Sequence, residues 1–174
     1  MLGKQYDIAQ IKWELDSLTE ILDWYRSAGD HSEQVCLQSI KGDSDPYKNG
    51  CGSISRFPDR REDDYTLIND KFKGTIFEGL VAPYVRSRLM WMSDHSTYSV
   101  HQDKSPRYHL AINTHEHAYF FWPESKKLLH IPADGYMYRV DTTLPHTFIN
   151  CGPARTHLVC VEPSTLSGAG FGGA

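Results

Sequence analysis

From Ile8 to Tyr25 the apolar positions Ile8, Ile11, Leu15, Leu18, Leu22 and Tyr25 recur at steps of three and four residues. That spacing puts them on one face of a helix, and Gly29 follows as a stop signal. Residues 42–58 lose this periodicity. Gly42-Asp43-Ser44-Asp45-Pro46 and Asn49-Gly50-Cys51-Gly52 are turn and loop chemistry. The mixed run from Asp59 to Asp64 reads as a solvated surface. Thr75-Ile76-Phe77-Glu78 has the form of a capping box and predicts a second helix, which Pro83 bends or ends.

After Arg88 the pattern changes to short apolar stretches of about five to eight residues between turn residues. It predicts strands near 87–92, 97–103, 107–114, 118–122, 127–131, 135–141, 145–150 and 156–162, with no internal repeat. Short strands at this spacing suggest a mainly β sandwich or barrel of the jelly-roll kind, with the N-terminal helices packed outside.

At 174 residues, with 40 % apolar and 23 % charged residues, the chain fits one globular domain. We expect it to span 1–166, with a helical part over about 1–86, a β core over about 87–163 and a flexible Gly-rich tail over 167–174. The net charge is −4 and no basic cluster stands out, which argues against nucleic acid as a partner. No apolar run approaches the roughly 20 residues of a membrane span. Met1 to Gln10 has no signal-peptide pattern, so a cytoplasmic location is expected. Cys36, Cys51, Cys151 and Cys160 lack CxxC spacing and read as free thiols, with Cys160 in the core.

The candidate chemistry lies among the nine histidines. On a strand, His101 and Asp103 share a face, and with a distant second histidine they would form the two-histidine, one-carboxylate set of non-haem Fe(II) oxygenases. A His-x-acid match arises about once by chance in such a composition, and His31-Ser32-Glu33 is a second one, so context decides. The context of His101 is favourable. His146 follows on another strand, and Arg155 lies nine residues beyond it, across the Cys151-Gly152-Pro153 turn. A planar guanidinium suits two-point recognition of a carboxylate. Arg107 and His109 place polar side chains where a simple core strand would be apolar.

Residues from about 65 to 163 resemble the aspartyl/asparaginyl β-hydroxylase-type branch of the Fe(II)/2-oxoglutarate dioxygenases, which includes free proline hydroxylases. The resemblance is carried by Phe72-Lys73-Gly74-Thr75, Arg88-Leu89-Met90, His101-Gln102-Asp103 through Arg107-Tyr108-His109-Leu110, and His146-Thr147-Phe148-Ile149-Asn150 with Arg155. It implies a double-stranded β-helix of cupin-like form, with His101, Asp103 and His146 as Fe(II) ligands and O2 as cosubstrate. It also implies that Arg155 binds the distal carboxylate of 2-oxoglutarate, with Arg107 and His109 nearby. The substrate would be a small molecule or peptide, hydroxylated at an aliphatic C–H of an amino acid. The first 64 residues carry little of the resemblance.

Two other readings stand beside this one. A metal cupin could use His115, His117 and His146 without 2-oxoglutarate, although the acid expected after an HxH pair is replaced by Phe120, Phe121 and Trp122. A non-catalytic binding module could use the same barrel. We further expect the turn-rich stretch 42–58 to act as a mobile lid, with Tyr47, Lys48 and Arg56 facing the substrate.

Overall fold

The structure is a computed structural model and describes residues 3–26 and 31–164. Gly29 and the tail over 167–174 lie outside the described residues.

Helix α1 (Ile8–Thr19) starts where Asp7 accepts hydrogen bonds from the backbone N–H groups of Ala9 and Gln10. It buries Ile11, Leu15 and Leu18, the face its spacing predicts, but ends six residues before Tyr25. Tyr25 belongs instead to β1 (Tyr25–Arg26), which pairs with β2 (Ser32–Cys36). Strands β3 (Gln38–Ser39) and β4 (Leu67–Ile68) form a small separate ladder. Helix α2 (Ile76–Val81) is capped by Thr75, whose hydroxyl accepts from Phe77 N. Glu78 reaches back to Gly74 N at 2.7 Å, one residue upstream of the box the sequence suggests.

The remaining strands are β5 (Val85–Met92), β6 (Ser96–Thr97), β7 (Arg107–Asn113), β8 (Ala118–Trp122), β9 (Lys127–Leu129), β10 (Tyr138–Val140), β11 (Thr147–Asn150) and β12 (Arg155–Val161). They build a six-stranded sheet in the order β1-β2-β5-β12-β7-β10 and a four-stranded sheet in the order β6-β11-β8-β9. All pairings are antiparallel.

The helical reading of 1–86 is therefore corrected. The segment contributes β1 and β2 to the large sheet, with Gln34 opposite Met90 and Cys36 opposite Arg88. Ser32–Cys36 is short and begins with polar residues, so it carries no clear alternation. It forms a strand because β5 offers an edge with unpaired backbone groups.

Period-two alternation divides the large sheet into two buried faces. Leu89, Leu110, Ile112, Leu158 and Cys160 point outward to Ile11, Leu15, Leu18, Phe77 and Leu80 of the helices. Met92 and Ala111 point inward to Phe120, Trp122 and Phe148 of the small sheet. The helices thus seal the outside, and the space between the sheets is left for the site. Gly135 fixes one edge of this arrangement. It sits at φ +85°, its carbonyl accepts from Tyr6 N at 2.8 Å, and a Cβ there would fall 2.1 Å from the Tyr6 carbonyl oxygen.

Candidate metal centre and its cavity

The strand expected over 97–103 is in fact β6 followed by an isolated bridge between His101 and His146. The two residues exchange backbone hydrogen bonds, N to O at 2.9 Å in each direction. Asp103 N then donates to Thr142 O at 2.8 Å. This bridge, rather than a long strand, brings the imidazoles together, with ring centres 4.5 Å apart and the planes tilted by 52°. One ligand atom each from His101, Asp103 and His146 lies within 4.8 Å of the others, the one group of this kind among the described residues.

Both rings are oriented by the backbone. His101 Nδ1 lies 2.8 Å from Ser99 O, and His146 Nδ1 lies 2.9 Å from Leu144 O. Each Nδ1 therefore carries the proton it donates, and each Nε2 keeps a free lone pair. Burial lowers the His146 pKa, which favours the neutral, ligating form. Asp103 Oδ1 receives Arg107 Nη2 at 3.1 Å. Two imidazoles and a carboxylate on one side of a cavity suit Fe(II) or a similar divalent ion. The exposures grade from His101 in solvent to a buried His146, so the centre sits at the cavity rim.

The cavity has a volume of about 560 Å³ and lies between the sheets. Arg155, Arg107 and His109 all line it, but in different states. Arg155 is 2 % exposed and, among the described residues, has no carboxylate partner. Its guanidinium lies 4.1 Å over the Phe148 ring, Nη2 contacts Met92 Sδ at 3.7 Å, and Nε and Nη1 have no hydrogen-bond partner. Burial lowers its pKa. His109 packs edge-on against Phe120, and its Nδ1 has no partner. Burial first, then Arg155 and Arg107, hold its pKa well below the usual imidazole range, so the ring is neutral. Arg107 is already occupied by Glu62 at 2.8 Å, by Asp103 and by the Ser105 carbonyl.

Glu62 overturns the reading of 59–64 as solvated surface. Its side chain is 10 % exposed and bridges Arg86 at 2.6 Å and Arg107 at 2.8 Å, while Ser105 Oγ donates to it at 2.6 Å. Burial would raise its pKa, but Arg107, Ser105 and Arg86 prevail and hold it at about 2. Arg86 and Arg88 also line the cavity. Two arginines at alternate positions at the head of the stretch Val85–Met92 were the signal for them; nothing in the sequence singled out Glu62.

The rival histidines are elsewhere. His115 Nε2 contacts Asn150 Oδ1 at 2.7 Å, Nδ1 accepts from His117 N, and the ring packs so tightly under Gly152 that a Cβ there would lie 2.2 Å away. His117 is exposed beside Glu116. Neither residue lines the cavity that His146 faces.

The stretch 42–58 does border the cavity, but through Gly52, Ser53, Ile54 and Ser55. The three side chains expected to face substrate are used otherwise. Tyr47 OH accepts from Lys71 N, Lys48 pairs with Asp23, and Arg56 donates to Tyr25 OH and the Lys48 carbonyl. The loop is also pinned, since Arg86 donates to the carbonyls of Gly50 and Gly52.

No protein-family model and no curated protein sequence matches the chain. Among solved structures, the DMSP lyase DddQ from Ruegeria pomeroyi DSS-3 superposes with a TM-score of 0.54 at 13 % identity, over 99 % of this chain and 68 % of that one. The SigE–anti-sigma ChrR complex from Rhodobacter sphaeroides gives 0.42 at 14 % identity, over 85 % of this chain and 54 % of that one, too loose to carry an argument. No helix among the described residues is long and apolar enough to cross a membrane. The two antiparallel sheets around a central cavity, together with the likeness to DddQ, make this a mainly β, jelly-roll fold of the cupin-like kind.

Proposed function

We propose that the protein is a metal-dependent enzyme of the 2-oxoglutarate oxygenase kind, hydroxylating an aliphatic C–H of an amino acid, free or within a peptide. The observation that carries the proposal is Arg155, a buried guanidinium with two unpartnered nitrogens, lining the cavity that His101, Asp103 and His146 also line. Burying a cation without a counter-charge is costly, and an incoming carboxylate relieves that cost. The three candidate ligands alone would equally support a metal cupin that uses no cosubstrate; Arg155 favours one that takes a carboxylate.

When bound, Fe(II) would supply the oxygen activation that couples conversion of 2-oxoglutarate and O2 into succinate and CO2 to hydroxylation of the substrate. The chain's own residues do the positioning. His101 and His146 present Nε2 because Ser99 and Leu144 hold their Nδ1–H groups. Arg107 fixes the Asp103 carboxylate, and Glu62 fixes Arg107. Arg155 grips the far carboxylate of the cosubstrate, backed by the Phe148 ring, which cannot compete for its N–H groups. Neutral His109 offers a hydrogen bond inside the same cavity without adding charge. The name of DddQ, a lyase, is consistent with a fold of this kind hosting an enzyme. Four free cysteines fit a reducing compartment such as the cytoplasm.

The test is succinate release from 2-oxoglutarate by Fe(II)-loaded protein, with and without free amino acids and short peptides. The proposal expects metal-dependent release, stimulated by at least one of them and lost in His101→Ala. Absence of 2-oxoglutarate consumption with a fully loaded metal site would leave the metal cupin without a cosubstrate as the reading.

A further inference from the structure

We infer that the cavity contains a second anion subsite, built by Arg88, Gln34 and the Gly52 backbone, which takes the carboxylate of a small free acid as the substrate. The inference deepens the proposed function and rests on it for the identity of the other cavity occupant.

Arg88 is 5 % exposed on β5 and lines the cavity. Its Nη1 donates to Gln34 Oε1 at 3.0 Å, and the same oxygen accepts from Gly52 N at 3.0 Å. Gln34 therefore ties the guanidinium to the loop that borders the cavity. Arg88 Nε has no partner, and no carboxylate bonds to Arg88 among the described residues. Glu62, the acid nearest in function, is already shared by Arg86 and Arg107.

Arg88 is also distinct from Arg155. In the β5–β12 register Arg88 stands opposite Val159, whereas Arg155 stands opposite Met92, four residues further along. At roughly 3.3 Å per residue the two backbone positions are about 13 Å apart along the sheet. His109 on β7 stands opposite Val159, on the same rung as Arg88, and both guanidinium groups act on it.

The charge count points the same way. Arg86, Arg88, Lys104, Arg107 and Arg155 line the cavity against two carboxylates, Glu62 and Asp103, and a divalent metal would add to the excess. A dicarboxylate cosubstrate held by the metal and Arg155 leaves Arg88 unmatched. A substrate carboxylate pairs with it, and the loop Gly52–Ser55, tied to Arg88 through Gln34, borders this end and favours a small one.

The test is calorimetric titration of Mn(II)- and 2-oxoglutarate-loaded protein with L-proline, L-leucine, L-aspartate and L-glutamate, each beside its fully amidated form, and with a short peptide bearing a free C-terminal carboxylate. At least one free acid binds at millimolar concentration, and its amide does not. Arg88→Gln weakens that acid by about tenfold or more, and Arg88→Lys recovers part of the loss, because charge is kept while the planar fork is not. Gln34→Leu, which frees Arg88 from the loop, weakens the acid in the same direction and guards against a variant that fails to fold. The subsite is overturned if no free acid binds, if amides bind equally well, if the Arg88 variants leave affinity unchanged, or if the peptide is preferred to every free acid. It is likewise overturned if Arg88→Gln abolishes 2-oxoglutarate binding while Arg155→Met does not. The same titration without 2-oxoglutarate separates the two ideas: failure of 2-oxoglutarate to bind wild type sinks the oxygenase reading, while the acid arm still decides this one.

Discussion

Arg155 is a residue whose surroundings are poor for stability and good for binding. Its cation–π contact with Phe148 and its contact with Met92 offset only part of the desolvation of an unpaired guanidinium. Exchange for an apolar side chain of similar length removes that cost. We predict that Arg155→Met stabilises the metal-free protein by about 1–2 kcal/mol, measured as a raised denaturant midpoint at unchanged slope. A lower midpoint would show that the guanidinium is stabilising and that its environment is less costly than the geometry implies. His101 and His146 make the complementary point. A single carbonyl behind each ring fixes which nitrogen is free, so neither imidazole pays to reorganise before taking a ligand.

At the scale of elements, the short helical turn Glu62–Asp64 holds the cavity wall to the loop in front of it, because Glu62 joins Arg86 to Arg107. Its pKa of about 2 lies below the ordinary 4.5, so the folded state favours its ionised form. The resulting stability is present above pH 4.5 and is lost as pH falls toward 2, by roughly 3 kcal/mol. We predict that wild type loses stability over that window and that Glu62→Gln, already weaker at neutral pH, loses far less. Parallel pH profiles of the two proteins would refute the bridge. The same turn shows where sequence reading stops. Glu62 finds its partners 24 and 45 residues away, so a run of mixed charge looks like any solvated surface. The strands from β5 to β12 were legible because alternation and turn residues act locally. Strand β2 was not, since its pairing is decided by the β5 edge. His101, Asp103 and His146 were legible as a set through their spacing, although an isolated bridge assembles them rather than the long strand expected. The three loop side chains expected to face substrate failed because their partners, Asp23, Tyr25 and Lys71, lie outside the loop.

The whole molecule divides its labour between the two faces of one sheet. The outer face carries the apolar packing against α1 and α2, which frees the inner face to hold arginines and histidines around a cavity of about 560 Å³. That division explains why Arg88, Arg107 and Arg155 can sit in strands whose alternate residues are mostly apolar. Under the proposed function the His101, Asp103 and His146 centre and Arg155 together bind one cosubstrate. The most direct measurement is calorimetric titration of 2-oxoglutarate into Mn(II)-loaded wild type, Arg155→Met and metal-free His101→Ala protein. We predict one site per chain in wild type, affinity lower by about 30-fold or more in Arg155→Met with metal retained, and a comparable or greater loss in His101→Ala. Equal affinity in all three proteins, or no binding to fully metal-loaded wild type, would show that the metal centre and Arg155 do not hold one common ligand.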